Sequence, residues 1–322
     1  MTPVMFASVA SRDERAVPVP LTSPRVVVVT VTFDPNIALL RQQLDAVLPQ
    51  VARVLFVDNG SSERVLGALH QLKEVNPSRV DVLELGMNTG VGHAQNRGVE
   101  MARKMDADAV LLLDHDSVPD ATMVERLVGA WRAHPDAAAL GPWHEDPRRR
   151  QRRSPFIQVR GLRQIRVPFV AGSIWPVDHV IASGSLVPLA AVDAVGDFRE
   201  DYFIDMVDVE WCLRARRLGW GVYGVCDARL SHELGLGSHA VFDLEYAIAS
   251  PVRTYYQVRN LWRMWSERRA PLNWLLVTTL RMFGRIAIHV LLHPPRKPYM
   301  LAVWRGTCDA HAGRMGSMPA IH

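Results

Sequence analysis

Cysteine is nearly missing from this chain. Cys212, Cys226 and Cys308 stand far apart among 322 residues, which makes neither a disulfide framework nor a zinc site and fits a reducing cytoplasm. Aromatic residues are few, at 7%, and no basic stripe interleaves with them, so no nucleic-acid partner is expected. Charge of one sign is also lacking. The net charge is only +4, a mild basic excess that suits anionic small molecules or an anionic membrane surface. Residues 1–24 lack the basic-then-apolar pattern of a secretory signal, with Asp13 and Glu14 inside them, and read as a loose leader. Several catalytic signatures are missing too. There is no G-x-S-x-G elbow, and His232 and His239 are wrongly spaced for H-E-x-x-H. The glycines of Gly86–Gly92 follow the third apolar run, not the first, which disfavours a dinucleotide-binding dehydrogenase.

What is present is a strand-helix alternation. The 48% of apolar residues is enough for a sizeable core. Arg25–Val31, Val54–Val57, Val80–Leu85 and Ala109–Leu113 read as strands buried on both faces. Between them lie helices from about Pro35 to Leu48, Glu63 to Val75 and Gly92 to Met105, with another expected to start at Pro119. Val180–Val187 reads as a further strand-like block, Asp205–Leu218 as a helix, and the chain from about Ala240 as helical. The fold class is therefore α/β, a mostly parallel sheet flanked by helices with a helical C-terminal extension. Its expected division is a main domain over 25–240, with a nucleotide-binding half 25–118 and an acceptor half 119–240, followed by 241–322. The arginine burst from Arg148 to Arg153 reads as a solvated loop, or more sharply as a lid over anionic groups. Leu272–Leu292 is long and apolar, yet Arg281, Arg285 and His289 mark one face. Packing on the protein's own core and docking at a membrane interface both remain open for it.

Ligands of such sheets bind at the carboxyl ends of the strands. There the chain carries Thr30, Thr32 and Phe33, then Asp58 and Asn59, then Asn88, Gly90, Gly92 and Asn96, then Asp114-His115-Asp116. Two carboxylates after an apolar strand can hold a hard divalent cation, Mg²⁺ or Mn²⁺, against a diphosphate. The plainer reading is a helix cap and a solvated turn. Asp58 can accept from a pyrimidine N3–H or simply form an Asx turn. Asn88 and Asn96 can anchor a ribose, and the glycines admit a close approach of the nucleotide. Asp205 and Asp208 share a helix face among aromatic and aliphatic neighbours such as Trp211. Desolvation there would make either a better base. Ser185, after Gly184, reads as a binding hydroxyl, and His232 as a third metal ligand or a structural histidine.

Together VDNGS (57–61), NTGVGHAQNRG (88–98), LLLDHDS (111–117), ASGSL (182–186), FIDMVDVEW (203–211) and SHELG (231–235) resemble the family 2 glycosyltransferases of GT-A fold, rhamnosyltransferases above all. His115 stands where that family has Gln, and Val207 where its Glu-Asp pair has Glu. The resemblance implies an inverting, metal-dependent hexosyltransferase with Asp114 and Asp116 at the metal and Asp208 or Asp205 as base. It also makes Arg253, Tyr256, Arg259 and Asn260 candidate contacts to acceptor or diphosphate. The implied donor is dTDP-rhamnose. The implied acceptor is an amphiphilic glycolipid, mono-rhamnolipid first and a polyprenyl-carried cell-surface polysaccharide second, met by a cytoplasmic enzyme at the inner membrane surface. A silent nucleotide-sugar binding protein would instead have Asp208 turned away from Asp114 and Asp116.

Overall fold

Four apolar runs form the parallel heart of the sheet. In the computed structural model, which describes residues 23–145, 155–232, 238–241, 244–247, 249–292 and 294–318, these are β1 (Val26–Thr32), β2 (Arg53–Asp58), β3 (Val80–Glu84) and β4 (Ala109–Asp114), ordered β3-β2-β1-β4. Alternate β1 side chains enter two separate cores. Val27 and Val29 pack with Ala94 and Val99 of α3 (Val91–Lys104), while Val26 and Val28 pack with Leu40 and Leu44 of α1 (Ile37–Val47). A strand buried on both faces has this pattern. Asn36 caps α1 through its side-chain oxygen, and α2 spans Glu63–Val75.

The sheet continues through β10 (Leu186–Pro188), β6 (Ala137–Glu145), β11 (Gly221–His232) and β5 (Ser117–Pro119), and β9 (Ile174–Pro176) joins β11. One nine-stranded sheet thus runs through both expected halves of the main domain. Outside it lie the β7–β8 hairpin (Ile157–Arg160, Arg163–Arg166) and helices α4 (Met123–Ala133), α5 (Leu189–Val195) and α6 (Val207–Arg217). After a second hairpin, β12 (Ser238–Val241) and β13 (Leu244–Ala247), come α7 (Pro251–Ser266), α8 (Leu272–Leu292) and α9 (Arg296–His311).

Three sequence expectations need correction. Pro119 does not open a helix; it ends β5, paired with Leu230 at the end of the sheet path, where a residue without an N–H is tolerated. Of the Val180–Val187 block only Leu186 and Val187 are strand, in β10, because Gly184 (φ +83°) turns the chain before them. The C-terminal region begins with a hairpin, and its helices start at Pro251. The arginine burst falls in 146–154, outside the described residues.

Candidate active site

The strand ends meet at a cleft of about 600 Å³, lined by Val31 and Phe33 at the end of β1, Asn59 after β2, Asn88 after β3 and Asp114, His115 and Asp116 at the end of β4. A buried polar brace fixes the Asp-His-Asp turn. The Thr30 hydroxyl donates to Gln43 Oε1 (2.9 Å), and Gln43 Nε2 donates to the carbonyls of Asp114 (2.7 Å) and Ser117 (2.6 Å). From the other side, Ser183 Oγ accepts from the Asp114 N–H (3.0 Å) and lies 2.7 Å from Ser117 Oγ. Thr30 therefore acts on the turn through Gln43, a residue the sequence reading did not single out.

The opposite wall is residues 203–209. Phe203, Asp205 and Met206 all have φ near +64°, a left-handed conformation costly for residues with a side chain. What holds it is α7. Asn260, wholly buried, donates to the carbonyls of Tyr202 (3.0 Å), Ile204 (2.9 Å) and Asp205 (2.9 Å). The buried Arg259 donates to Tyr202 O (2.9 Å) and Gly316 O (2.6 Å). Neither lines the cleft, so their place is beneath the loop rather than against a ligand. Their neighbours Arg253 and Gln257, one helical turn apart, do line it. Arg253 grips Asp205 with two bonds (2.6 and 3.0 Å), and Arg285 enters from α8. Gln257 had no separate signal in the sequence, and Arg285 showed only as part of the charged stripe.

Asp208 lines the same cleft as Asp114 and Asp116. Its carboxylate accepts from the N–H of Ala182 (2.9 Å) and Val209 (2.8 Å). Burial raises its pKa against the lowering by those bonds and by His179. Burial in turn lowers the pKa of His179, against the pull of Asp208 and Asp178. His179 was another residue the sequence reading missed.

Most of the remaining candidates serve the scaffold, while Asn59, Asn88 and Gly90 also line the cleft. Asp58, buried, accepts from the Thr32 hydroxyl (3.0 Å) and the N–H groups of Gly60 (3.1 Å) and Ser61 (2.9 Å), which is the turn-forming arrangement. Asn59 accepts from Thr89 and donates to Asn88 Oδ1 (3.2 Å), shaping the loop whose Asn88 faces the cleft. Asn96 clamps Phe198 through both its N–H and carbonyl groups. The space beside Gly90 is taken by Phe203, whose Cα would be 2.8 Å from an added Cβ, and that beside Gly92 by the Arg199 carbonyl. Both glycines thus admit the chain's own backbone, although Gly90 also borders the cleft. Trp211 is core, donating to Gly196 O (2.8 Å) and packed on Phe198. Ser185 donates to Ala182 O (2.8 Å), and the Gly184 turn abuts Pro142. The His232 backbone pairs with Ser117; its side chain lies outside the described residues.

Among the described residues, no three His, Cys, Asp or Glu side chains gather as a metal shell. The Asp114–Asp116 pair nevertheless fits Mg²⁺ or Mn²⁺, hard cations often held by one or two carboxylates with phosphate and water completing the shell.

Residues 27–181 match Glycosyl transferase family 2. The chain is 28% identical over 247 residues to the dTDP-rhamnosyl transferase RfbF of Shigella flexneri, covering 76% of this chain and 81% of that protein. It is 26% identical over 298 residues to the N-acetylglucosaminyl-diphospho-decaprenol L-rhamnosyltransferase of Mycobacterium tuberculosis, covering 84% and 95%. Among solved structures the fold resembles the mannosyltransferase PcManGT of Pyrobaculum calidifontis in complex with GDP-Man and Mn²⁺ (TM-score 0.53, 15% identity, 93% and 89% covered). It also resembles GalNAc-T7 with UDP, GalNAc and Mn²⁺ (TM-score 0.59, 13% identity); the match covers 85% of this chain but 59% of GalNAc-T7. Residues 27–181 are thus similar to the glycosyl transferases of family 2, and the relatives that extend the match are rhamnosyltransferases.

Proposed function

We propose that this protein transfers rhamnose from dTDP-L-rhamnose to a hydroxyl of an amphiphilic glycolipid, with inversion at the anomeric carbon. The observation that carries the reading is that Asp208 shares one cleft with Asp114 and Asp116. A silent binding protein would not need a desolvated carboxylate there. A divalent cation held by Asp114 and Asp116 would neutralise the diphosphate leaving group. Asp208 takes the proton of the acceptor hydroxyl as that oxygen attacks the anomeric carbon from the face opposite the departing diphosphate. Asp205 is the weaker candidate for base because Arg253 already engages both its oxygens. The 203–206 loop sets the base against the donor, and Arg259 and Asn260 keep it there.

Mono-rhamnolipid is the acceptor proposed first, from the motif resemblance. A saccharide on a polyprenyl carrier is the second, favoured by the name of the Mycobacterium tuberculosis relative. Both are amphiphiles, and the exposed apolar residues of α8 and α9 suit a position at the inner membrane surface. The test is transfer by the purified protein from dTDP-rhamnose to either acceptor, with and without Mg²⁺ or Mn²⁺. Transfer to neither acceptor overturns the substrate assignment, and full activity without any divalent cation overturns the metal's role.

A further inference from the structure

The C-terminal helices border a second cavity, open to solvent, that the transfer chemistry leaves unused. It lies between the first turns of α7 and the middle of α9 and measures about 520 Å³, a size ordinary for a small-molecule site. Its walls are apolar, from Val252, Tyr255, Pro298, Leu301 and Met318, but Lys297 and Arg305 also border it. Neither cation has an ion-pair or hydrogen-bond partner among the described residues. Lys297, Leu301 and Arg305 follow one another at i, i+4 and i+8 along α9. The two charges therefore bracket the apolar middle at about 12 Å of helix rise. Outside the cavity the apolar surface continues over Met300 and Trp304, each about 60% exposed.

The cavity and the cleft share a wall. Val252 and Tyr255 of α7 face the cavity, whereas Arg253 and Gln257 of the same turns face the cleft. Phe203 at the cleft stacks on Tyr256 (5.3 Å), whose hydroxyl accepts from the Met318 N–H (2.7 Å) at the cavity. The two spaces are one helix apart. An apolar cavity with unpaired cations matches a hydrocarbon chain that carries an acid: the chain fills the space and the acid meets the charge.

We propose that this cavity holds the hydrocarbon tail of an acidic lipid, the tail of the same acceptor whose hydroxyl enters the cleft. This rests on the glycolipid reading above. The experiment is calorimetric titration of the full chain with dodecyl phosphate below its micellar concentration, beside dodecyl maltoside and inorganic phosphate, with dTDP titrated in parallel. The expected result is saturable one-to-one binding of dodecyl phosphate, at least tenfold tighter than either comparison compound. Leu301→Asp should weaken it at least tenfold, and Lys297→Glu with Arg305→Glu severalfold, with dTDP binding unchanged. Leu301 is partly exposed, so its variant should fold. Equal binding of the maltoside, equal binding of free phosphate, many lipids bound per chain as on a bilayer-like surface, or indifference to Leu301→Asp would each overturn the proposal. Failure of wild type to bind dTDP would sink the nucleotide-sugar reading and this one with it; dTDP binding without lipid binding would sink this one alone.

Discussion

A carboxylate becomes a useful base when its surroundings withhold water, and Asp208 is such a group. Burial is the largest influence on it and raises its pKa above the ordinary value of about 3.9. Two consequences follow from the sign. The acid limb of kcat should lie above the range of an exposed aspartate, because the base form appears only once pH exceeds the raised value. The folded chain also binds that proton more tightly than the unfolded chain, so this group lowers stability as pH rises from about 4 through the raised pKa. Asp208→Asn removes the proposed base and the buried charge together. Its expected outcome is a loss of kcat of about 10²–10⁴-fold with an unchanged or higher Tm at pH 7, read by rhamnosyl transfer and thermal melts on the same preparation. A drop in Tm with retained activity would assign Asp208 to the scaffold. The three-residue spacing implies one helix face for Asp205 and Asp208, but α6 begins at Val207 and Asp205 lies before it with φ +64°, so the strained loop, not the helix, brings Asp205 to the cleft. Choosing between them was not possible from the sequence, because the partner that occupies Asp205, Arg253, is 48 residues away.

Among the elements, the parallel strands were legible because continuous apolar runs specify burial on both faces. Helices Glu63–Val75 and Leu272–Leu292 emerge with the expected bounds, since periodicity and length are local properties. The role of α7 was not legible. The resemblance implies that Arg259 and Asn260 contact acceptor or diphosphate, but neither lines the cleft, and a buried polar residue has no local signal for what it bonds. In the fold they support a loop more than 50 residues earlier in the chain, and that loop carries three strained residues. Asn260→Ala would leave the carbonyls of Ile204 and Asp205 without this donor. The expected cost is about 1–3 kcal/mol of stability, together with a loss of kcat of at least tenfold as the loop relaxes and Asp208 moves. Chemical denaturation and steady-state kinetics check it. The same stability loss with full kcat would show that the strained loop needs no such support.

At the scale of the whole molecule, one helix bears on the proposed membrane contact and one charge cluster on how the helices join the sheet. Helix α8 is long and apolar enough to cross a membrane, yet Arg285 on it lines the cleft and His289 packs on Tyr299. Of its polar stripe only His289 is buried; Arg281 and Arg285 are exposed, as are Leu272, Leu280 and Leu291. Exposed leucines beside exposed arginines suit an anionic interface. Leu280→Glu with Leu291→Glu should cut cosedimentation with anionic vesicles at least tenfold and leave dTDP binding intact; unchanged sedimentation would remove α8 from the contact.

The helical tail is joined to the sheet domain through Glu267, at the end of α7. Its carboxylate accepts from Arg199 (2.6 Å), whose carbonyl fills the space beside Gly92, and from Arg269 (2.8 Å), and forms an ion pair with Arg263 (2.5 Å). Burial raises the Glu267 pKa, but the arginines, Arg199 first, outweigh it and hold the group down to about 2. A depressed carboxylate stabilises the fold fully above its unfolded pKa of about 4.5, and that contribution is lost as pH falls toward 2. A pair so enclosed, less than one-fifth exposed on either side, is screened little by water. Glu267→Gln should therefore destabilise the protein by about 2 kcal/mol at pH 7, and the difference from wild type should shrink through pH 4 and vanish near pH 2. Parallel denaturation curves across that range measure it. A difference independent of pH would mean that the arginines need only the shape of the side chain, and that charge is not what ties the helices to the sheet.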